Sequence, residues 1–581
     1  MKTSRFLTWK RFLQIAKPFW RGEERWKARG LLVLLILLLL GYTEFSVLFN
    51  EQSGEFTSAL AAKDGARFWH TIYVFVAMLV VAVPINAFYY YVRDKLGIRW
   101  RRWLTRYYLD RYFADRAFYK LGSNESVDNP DQRISEDIST FTQKSLNFSL
   151  IILGAVIQLV AFSRVLWSIS HLLVGILVVY AAAGTLITTF GFGRVLVGLN
   201  FLQLKREADF RFGLIRVREN AEAIAFYRGE QRESSRVKQR FKSVFKNFSK
   251  LIHWQLKLNL FQYAYSFSTY VIPAVVMAPV VISGESEVGV VVQAAGAFAA
   301  MLSALTVFID NFDSLSKFVA GIDRLDTFAI ALSPPKRGAA SGIRTVEAPQ
   351  LALKNVTVMT PGSERTLVKN LSLQVEPGRG LMIMGPSGGG KSSLLRAIAG
   401  LWTDGSGTVF RPGTDNILFL PQHPYMTLGT LRSQLLYPQV KRELPDEELH
   451  RILQAVNLPD VVSRLGGLDV ELDWSKVLSL GEQQRLAFAR VMLTKPRYAI
   501  LDEATSALDE ENEVCLYGRL QDSSTTLVSV SHRVAILKYH DRVLELMGDG
   551  EWRLRPASEL CLPTVPSLPV PAANDQARPY A

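Results

Sequence analysis

The run LLVLLILLLL at 31–40, prolonged through residue 49, constrains the chain more than any other stretch. A helix needs about 20 apolar residues to cross the hydrocarbon of a bilayer, and this run with its flanks reaches that length. A helix is the form that lipid demands, because every backbone N–H and C=O then finds its partner inside the segment. A secretory signal is the rival reading. The run is long for one, and no small-residue cleavage site follows it.

Five further stretches read as spans, at 68–92, 148–168, 171–195, 259–284 and 288–312, six in all. The charge between them alternates. Residues 1–29 hold nine Lys/Arg, 93–147 eleven and 194–258 fifteen. The connections at 51–67, near 170 and at 285–287 hold two, none and none. Basic loops stay on the cytoplasmic side, so the pattern predicts both ends of the six-span unit in the cytoplasm. The long basic connections are helix-compatible over 93–120 and 200–250, with apolar residues at three- and four-residue spacing. Spans that continue as helices into the cytoplasm, where they touch a second domain, are the expectation; solvated cytoplasmic helices are the plainer one.

Composition agrees. The chain has 581 residues, too many for one core, with 49% hydrophobic and only 21% charged residues. Its mean hydropathy is +0.13. The net charge of +14 admits nucleic acid, acidic ligands or an anionic membrane surface as partners. Residues 1–339 account for a balance of +16, and 340–560 for −2. The basic excess therefore belongs to the segment with the apolar runs. It marks membrane topology, and no nucleic-acid partner is expected. Two cysteines, Cys515 and Cys561, offer neither a disulfide framework nor metal-ligand spacing.

A helix-breaking stretch at 333–338, SPPKRG, ends the membrane half. The expected domains are a membrane unit at 1–330, a linker at 331–345, a soluble α/β domain at 346–560 and a disordered, Pro- and Ala-rich tail at 561–581. Strand-like runs at 351–358, 380–384, 498–501 and 526–530 alternate with helical segments.

The sharpest chemical signal is Gly385-Pro386-Ser387-Gly388-Gly389-Gly390-Lys391-Ser392-Ser393, between the strand-like LMIM and the helical SSLLRAIAG. Strand, glycine loop and helix together make a phosphate cradle. Backbone N–H groups close around the β- and γ-phosphates, and the helix N-terminus favours their charge. Lys391 reaches the phosphate oxygens, and Ser392 is placed to ligate Mg²⁺. A second strand, RYAIL, ends in Asp502 and Glu503, 111 residues after Lys391. An acid there holds the Mg²⁺ shell, and the next polarises a water for attack on the γ-phosphate. Alone, such a strand end would be read as a chain leaving its core.

With these motifs the second half resembles the ATP-binding cassette family. Residues 478–485, LSLGEQQR, look like that family's signature motif. The resemblance implies that Ser479, Gly481 and Glu482 face a nucleotide held by an opposite subunit. It gives Gln422 the role of a Mg²⁺-sensing loop residue, Asp509 a place in the D-loop (506–509), and His532 the switch beside the γ-phosphate. Cofactors ATP and Mg²⁺ follow. Two positions depart from the family pattern. Leu480 stands where a first glycine is usual, and 358–361, VMTP, offers no aromatic for adenine to stack on. Adenine is then expected on aliphatic surface, with looser base selectivity.

Six spans ahead of one cassette resemble an exporter-type half-transporter. Residues 98–114, 128–137 and 219–230 look like the group that unites peroxisomal fatty-acyl transporters with bacterial SbmA/BacA-type proteins, nearest the branch that fuses such a membrane domain to its own cassette. The resemblance implies a homodimer in the lipid bilayer of a bacterial inner membrane. It implies ATP-driven uptake of peptides, antimicrobial ones included, or of cobalamin-like molecules. Helices through 113–137 and 219–233 would carry cassette closure to the spans. Export of an amphipathic or acyl compound is the alternative, and an ATP-gated channel or regulatory membrane protein is the rival of another class.

Three carboxylates are candidates for substrate contact. Glu44 lies in the first span, where a charge is costly and often functional; pairing with another span or an interface position is the equal alternative. Glu51 and Glu55 would make the outer entrance acidic and favour cationic peptides. Phe68, Trp69, His70 and Tyr73 read as an interface belt before a substrate site.

Overall fold

The leucine run does form a helix, and a long one. The computed structural model describes residues 2–122, 130–333, 342–361, 364–439 and 443–560. It divides into two compact units, Met1–Pro334 and Pro335–Ala581. Most of the linker expected at 331–345, Cys561 and the tail at 561–581 lie outside the described residues. Within that linker, helix still runs to Ala331 and strand resumes at Arg344.

The first unit is helical throughout. Its main helices are α1 (Lys2–Arg21), α2 (Arg25–Ala61), α3 (Gly65–Phe113), α4 (Ile138–Ile169), α5 (His171–Leu186), α6 (Arg194–Glu219), α7 (Ala221–Phe226), α8 (Glu230–Ile282), α9 (Gly289–Asp310) and α10 (Phe312–Ala331). Among the described residues six helical rods are long and apolar enough to cross a membrane. Their apolar parts coincide with the six expected spans. The rods are longer than the spans: α3 continues to Phe113, and α5 passes through a π-helical stretch, Ile187–Gly193, into α6. The connection expected at 51–67 is mostly helix. Only 62–64 turn, because Asp64 accepts from the backbone N–H of Ala66 and Arg67, both at 3.1 Å, and so starts α3. Glu51 and Glu55 therefore sit on α2.

Small and polar residues hold the rods together, as expected where lipid removes the hydrophobic drive. Gly54 of α2 meets Gly289 of α9 so closely that a Cβ on Gly289 would lie 1.9 Å from the Gly54 carbonyl. Beside them Asn50 donates to the Gln293 carbonyl at 3.0 Å, and the Gly289 N–H donates to Ser58 at 3.1 Å. Tyr180 and Tyr265 stack at 4.3 Å, each hydroxyl donating to the other's backbone carbonyl. At the opposite end, buried Asp137 accepts from Arg133 at 2.9 Å and from Arg324 of α10 at 2.7 Å. The basic N-terminal segment folds as α1, tied to α10 by Arg11 with Asp323 and Asp326.

In the second unit, β1 (Arg344–Glu347), β2 (Leu351–Met359), β3 (Thr366–Val375) and β5 (Gly405–Arg411) form a four-stranded sheet in the order β1-β5-β2-β3. A six-stranded sheet joins β4 (Leu381–Met384), β6 (Ile417–Leu420), β7 (Tyr498–Asp502), β8 (Thr526–Val530), β9 (Arg542–Leu546) and β10 (Trp552–Pro556), in the order β10-β9-β4-β8-β7-β6. Only β10 is antiparallel. The central strands β4, β7 and β8 are apolar runs buried along almost their whole length, as a covered parallel sheet requires. Helices α11 (Lys391–Ile398), α12 (Leu480–Thr494) and α13 (Glu510–Gln521) cover it. Parallel strands share one carboxyl edge, and a ligand site belongs there.

Candidate nucleotide site

Three neighbouring strands deliver the chemistry to that edge. β4 leads into the glycine loop, β7 ends at Asp502-Glu503, and β8 runs into Ser531-His532. Register places Val530 of β8 beside Asp502 of β7.

The glycine loop turns because its backbone enters the left-handed region at Gly385, Gly388 and Gly390. A Cβ on Gly385 would lie 2.3 Å from the Leu546 carbonyl, so only glycine fits there. Gly390, at φ +90°, opens α11, with Lys391 as its first residue. Pro386, Ser387 and Gly388 are exposed, and Gly389 is buried. Lys391 is buried and folds back on its loop, donating at 2.9 Å to the carbonyls of Gly385 and Pro386. Ser392 and Ser393 follow on the same turn, half-buried.

Ser392 Oγ donates to Asp502 Oδ1 at 3.3 Å, which joins the two motifs. Burial raises the Asp502 carboxyl above the usual range; the Ser392 hydrogen bond opposes this, and the Glu503 charge reinforces it. A hydroxyl and a carboxylate oxygen side by side are the donors a hard divalent cation takes. Among the described residues no three His, Cys, Asp or Glu side chains form a metal cage by themselves. Such a cation would complete its shell with phosphate and water.

Glu503 sits between two other motif residues. Gln422, exposed just after β6, donates through Nε2 to Glu503 Oε2 at 3.1 Å. His532 Nε2 lies 3.9 Å from Glu503 Oε1. The Glu503 backbone holds φ at +47°, a costly angle for a non-glycine residue, pinned by its N–H donating to the Val530 carbonyl at 3.0 Å.

The signature residues form their own cluster. Ser479 caps α12, and Ser479 with Glu482 makes a reciprocal capping box. Burial works against the Glu482 charge, but hydrogen bonds from Arg464 and Ser479 outweigh it and hold the carboxyl below its usual range. Leu480 is the first residue of α12, half-buried, where a leucine serves helix geometry better than glycine. A Cβ on Gly481 would stand 3.1 Å from the Ala507 carbonyl, so α12 rests closely on the 506–509 loop. Asp509 ends that loop and caps α13, accepting from Asn512 N–H at 3.1 Å. Among the described residues no hydrogen bond or ion pair links Ser479, Gly481 or Glu482 to the glycine loop.

Sequence reasoning missed two residues that organise these loops. Gln484, fully buried, donates to the Gln422 carbonyl at 3.0 Å and to Ser506 Oγ at 3.1 Å, and accepts from Ala507 N–H at 3.0 Å. Arg533, next to His532, donates to the Leu508 carbonyl at 2.9 Å and pairs with buried Glu513 at 3.2 Å. A polar side chain on the inward face of α12 was the available signal for Gln484.

The substrate candidates are not brought together. Glu44 and Glu51 are exposed on α2 without an ion-pair partner among the described residues. Glu55 is tied to Arg67, which also holds Glu287 at 2.8 Å. The acidic entrance expected from Glu51 and Glu55 is thus partly neutralised, because Arg67 stands one helical turn into α3, within reach of both carboxylates. A recess nearby, about 630 Å³, is lined instead by Ser46, Phe49, Asn50, Ser53, Phe162 and Tyr270, among others.

Two family descriptions match the chain: "ABC transporter transmembrane region 2" over residues 16–282 and "ABC transporter" over 368–506. An uncharacterized ABC transporter ATP-binding protein of Synechocystis is 45% identical over 92% of this chain and 82% of its own length. ABC transporter D family member 2, chloroplastic, of Arabidopsis thaliana is 39% identical over 94% and 88%. The lysosomal cobalamin transporter ABCD4 of Homo sapiens is 33% identical over 94% and 95%.

Proposed function

The chain belongs to the ABC transporters of the D family, ATP-hydrolysing transporters that carry membrane domain and cassette in one polypeptide, and on that premise we propose a homodimeric importer of cobalamin-like molecules or peptides in a bacterial inner membrane. Both termini would face the cytoplasm, as the alternation of basic loops supports.

The observation that carries the reading is the placement of Glu503 between Gln422 and His532, beside the Ser392–Asp502 pair. Lys391 exchanges its two backbone carbonyls for β/γ-phosphate oxygens when ATP enters. Glu503 accepts the proton of a water whose oxygen attacks the γ-phosphorus; the bond to the β-phosphate oxygen breaks, and ADP and phosphate leave. Ser392, Asp502 and Gln422 are the residues to hold Mg²⁺, which when bound neutralises the phosphate charge. His532 steadies the water and the γ-phosphate. Among the described residues Ser479 and Gly481 make no hydrogen bond to the glycine loop of their own chain, which supports the homodimer: the signature of one copy would complete the nucleotide site of the other.

Cobalamin-like substrates are supported by the human relative's name and its near full-length match. Peptides rest on the resemblance of the membrane motifs, and Glu44 and Glu51 favour cationic ones. Export of an amphipathic compound is the second reading, favoured by the mixed lining of the Ser46–Tyr270 recess. Reconstitution in liposomes separates these. Labelled cobalamin, a cationic peptide and an amphipathic acyl compound are supplied on either side, with and without ATP. ATP-dependent accumulation of cobalamin or peptide from the outer side supports the proposal. Movement of the acyl compound alone, or flux independent of hydrolysis, overturns it.

A further inference from the structure

Where α3 leaves its apolar stretch and α4 approaches its own, the two helices part around a cavity of about 580 Å³. Arg93, Asp94, Gly97 and Arg101 of α3 line it with Gln143, Lys144 and Asn147 of α4, three cations against one carboxylate. Gly97 makes the room: it is buried, and a Cβ there would meet only Leu146, at 4.0 Å.

The charges in this cavity are not balanced. Arg93 pairs with Asp94 at 3.0 Å. Among the described residues Arg101 has only the Ser135 carbonyl, at 3.4 Å, and Lys144 only the Ser314 hydroxyl, at 3.5 Å. Both bonds are long and to neutral groups, and no carboxylate among the described residues lies within ion-pair distance of either cation. The amides of Gln143 and Asn147 add donors to the same space. Two unmatched cations and two amides converging on one cavity suit an anion with several acceptor oxygens.

Depth identifies the source. Arg93 is the first charge after the apolar stretch 68–92, and Asn147 is the last residue before 148–168. The cavity therefore lies where hydrocarbon gives way to headgroups, on the side of the basic loops. Basic pockets between spans at that level suit anionic lipid headgroups. We propose that the α3–α4 cavity binds the phosphate of an anionic phospholipid through Arg101 and Lys144. Occupancy would cement two spans at their inner ends, beside the Arg133–Asp137–Arg324 cluster.

The test uses the full-length protein in nanodiscs of phosphatidylcholine, alone or doped with phosphatidylglycerol. Native mass spectrometry counts retained phosphatidylglycerol, and ATP turnover in pure phosphatidylcholine reports folding. Arg101→Gln with Lys144→Gln is expected to weaken phosphatidylglycerol retention about thirtyfold, roughly fivefold per cation. Arg101→Lys with Lys144→Arg should keep most of it. Lys242→Gln with Lys246→Gln, exposed on α8, should leave it unchanged. Equal retention by the double glutamine variant and the parent overturns the site. Binding of sn-glycerol 3-phosphate as tight as that of the lipid, lost in the same variant, overturns the lipid assignment in favour of a soluble phosphate ester. Failure of the transport assay would leave these readouts untouched, so the two ideas fall separately.

Discussion

Gln422 Nε2 stands 3.1 Å from Glu503 Oε2, and this contact joins a loop after one strand to the acid at the end of its neighbour. Glu503→Gln keeps that geometry and removes the base. ATP binding is expected to persist, while turnover falls about a hundredfold or more. Single-turnover hydrolysis by purified protein checks it, and undiminished turnover would remove Glu503 from its role.

Gln484→Leu preserves shape but strands the Gln422 carbonyl, Ser506 Oγ and the Ala507 N–H. Gln422, Ser506 and Ala507 are themselves exposed, so each lost part-buried bond costs about 0.5–1.5 kcal/mol. A lower cassette unfolding midpoint together with slower hydrolysis is expected, because the loop carrying Gln422 loses its anchor. Wild-type melting and turnover would show that the three bonds are dispensable.

Asp502→Asn separates stability from function. The Asp502 carboxyl has its proton affinity raised in the fold, mainly by burial. Folding therefore binds a proton in the interval above the ordinary carboxylate range, and stability falls as pH rises through it. Without divalent cation, the asparagine variant should melt higher than the parent at neutral pH and show less of this slope. Mg²⁺-dependent hydrolysis should be lost. Thermal melts across pH in chelator decide the first point.

His540 predicts the opposite slope. It is buried, hydrogen-bonded to Ser529 Oγ and the Ile536 carbonyl, and burial lowers it from 6.5 to about 4. The unfolded chain takes up a proton between those values and the native one does not. Stability is full above 6.5 and is lost as pH falls toward 4. His540→Gln should flatten this acid limb; an unchanged limb would assign it to other groups.

Arg67→Gln would free Glu55 and Glu287, near the ends of α2 and α9 that the proposed topology places outside. If outer acids attract cationic peptides, initial uptake at low salt should rise several-fold and the gain should vanish at high salt. Equal uptake by variant and parent would detach substrate charge from this cluster.

Much of the fold was legible because it repeats simple patterns. The six apolar rods and the strands at 351–358, 498–501 and 526–530 appear where their composition placed them. The short connection at 62–64 was less clear. Glu51 and Glu55 look like loop acids in the sequence, yet the cap at Asp64 extends α2 past them. The basic segment 2–21 reads as topology alone, and its helix rests on contacts with α10 that no local pattern announces.

What the sequence determined by itself is chemical: lipid-soluble spans, a phosphate cradle, and acids of the right type after the right strand. These depend on local composition and on short spacings, which chain neighbours dictate. What only the tertiary structure decided is which of these groups meet. The parallel order β4-β8-β7 brings Ser392 to Asp502 across 110 residues, and Gln484 joins two loops by three hydrogen bonds from the inward face of α12. It also pairs Glu55 with Arg67 and gives Arg101 and Lys144 no carboxylate partner among the described residues. Partners of that kind are set by sheet register and helix packing, which place residues remote in the chain within hydrogen-bond reach.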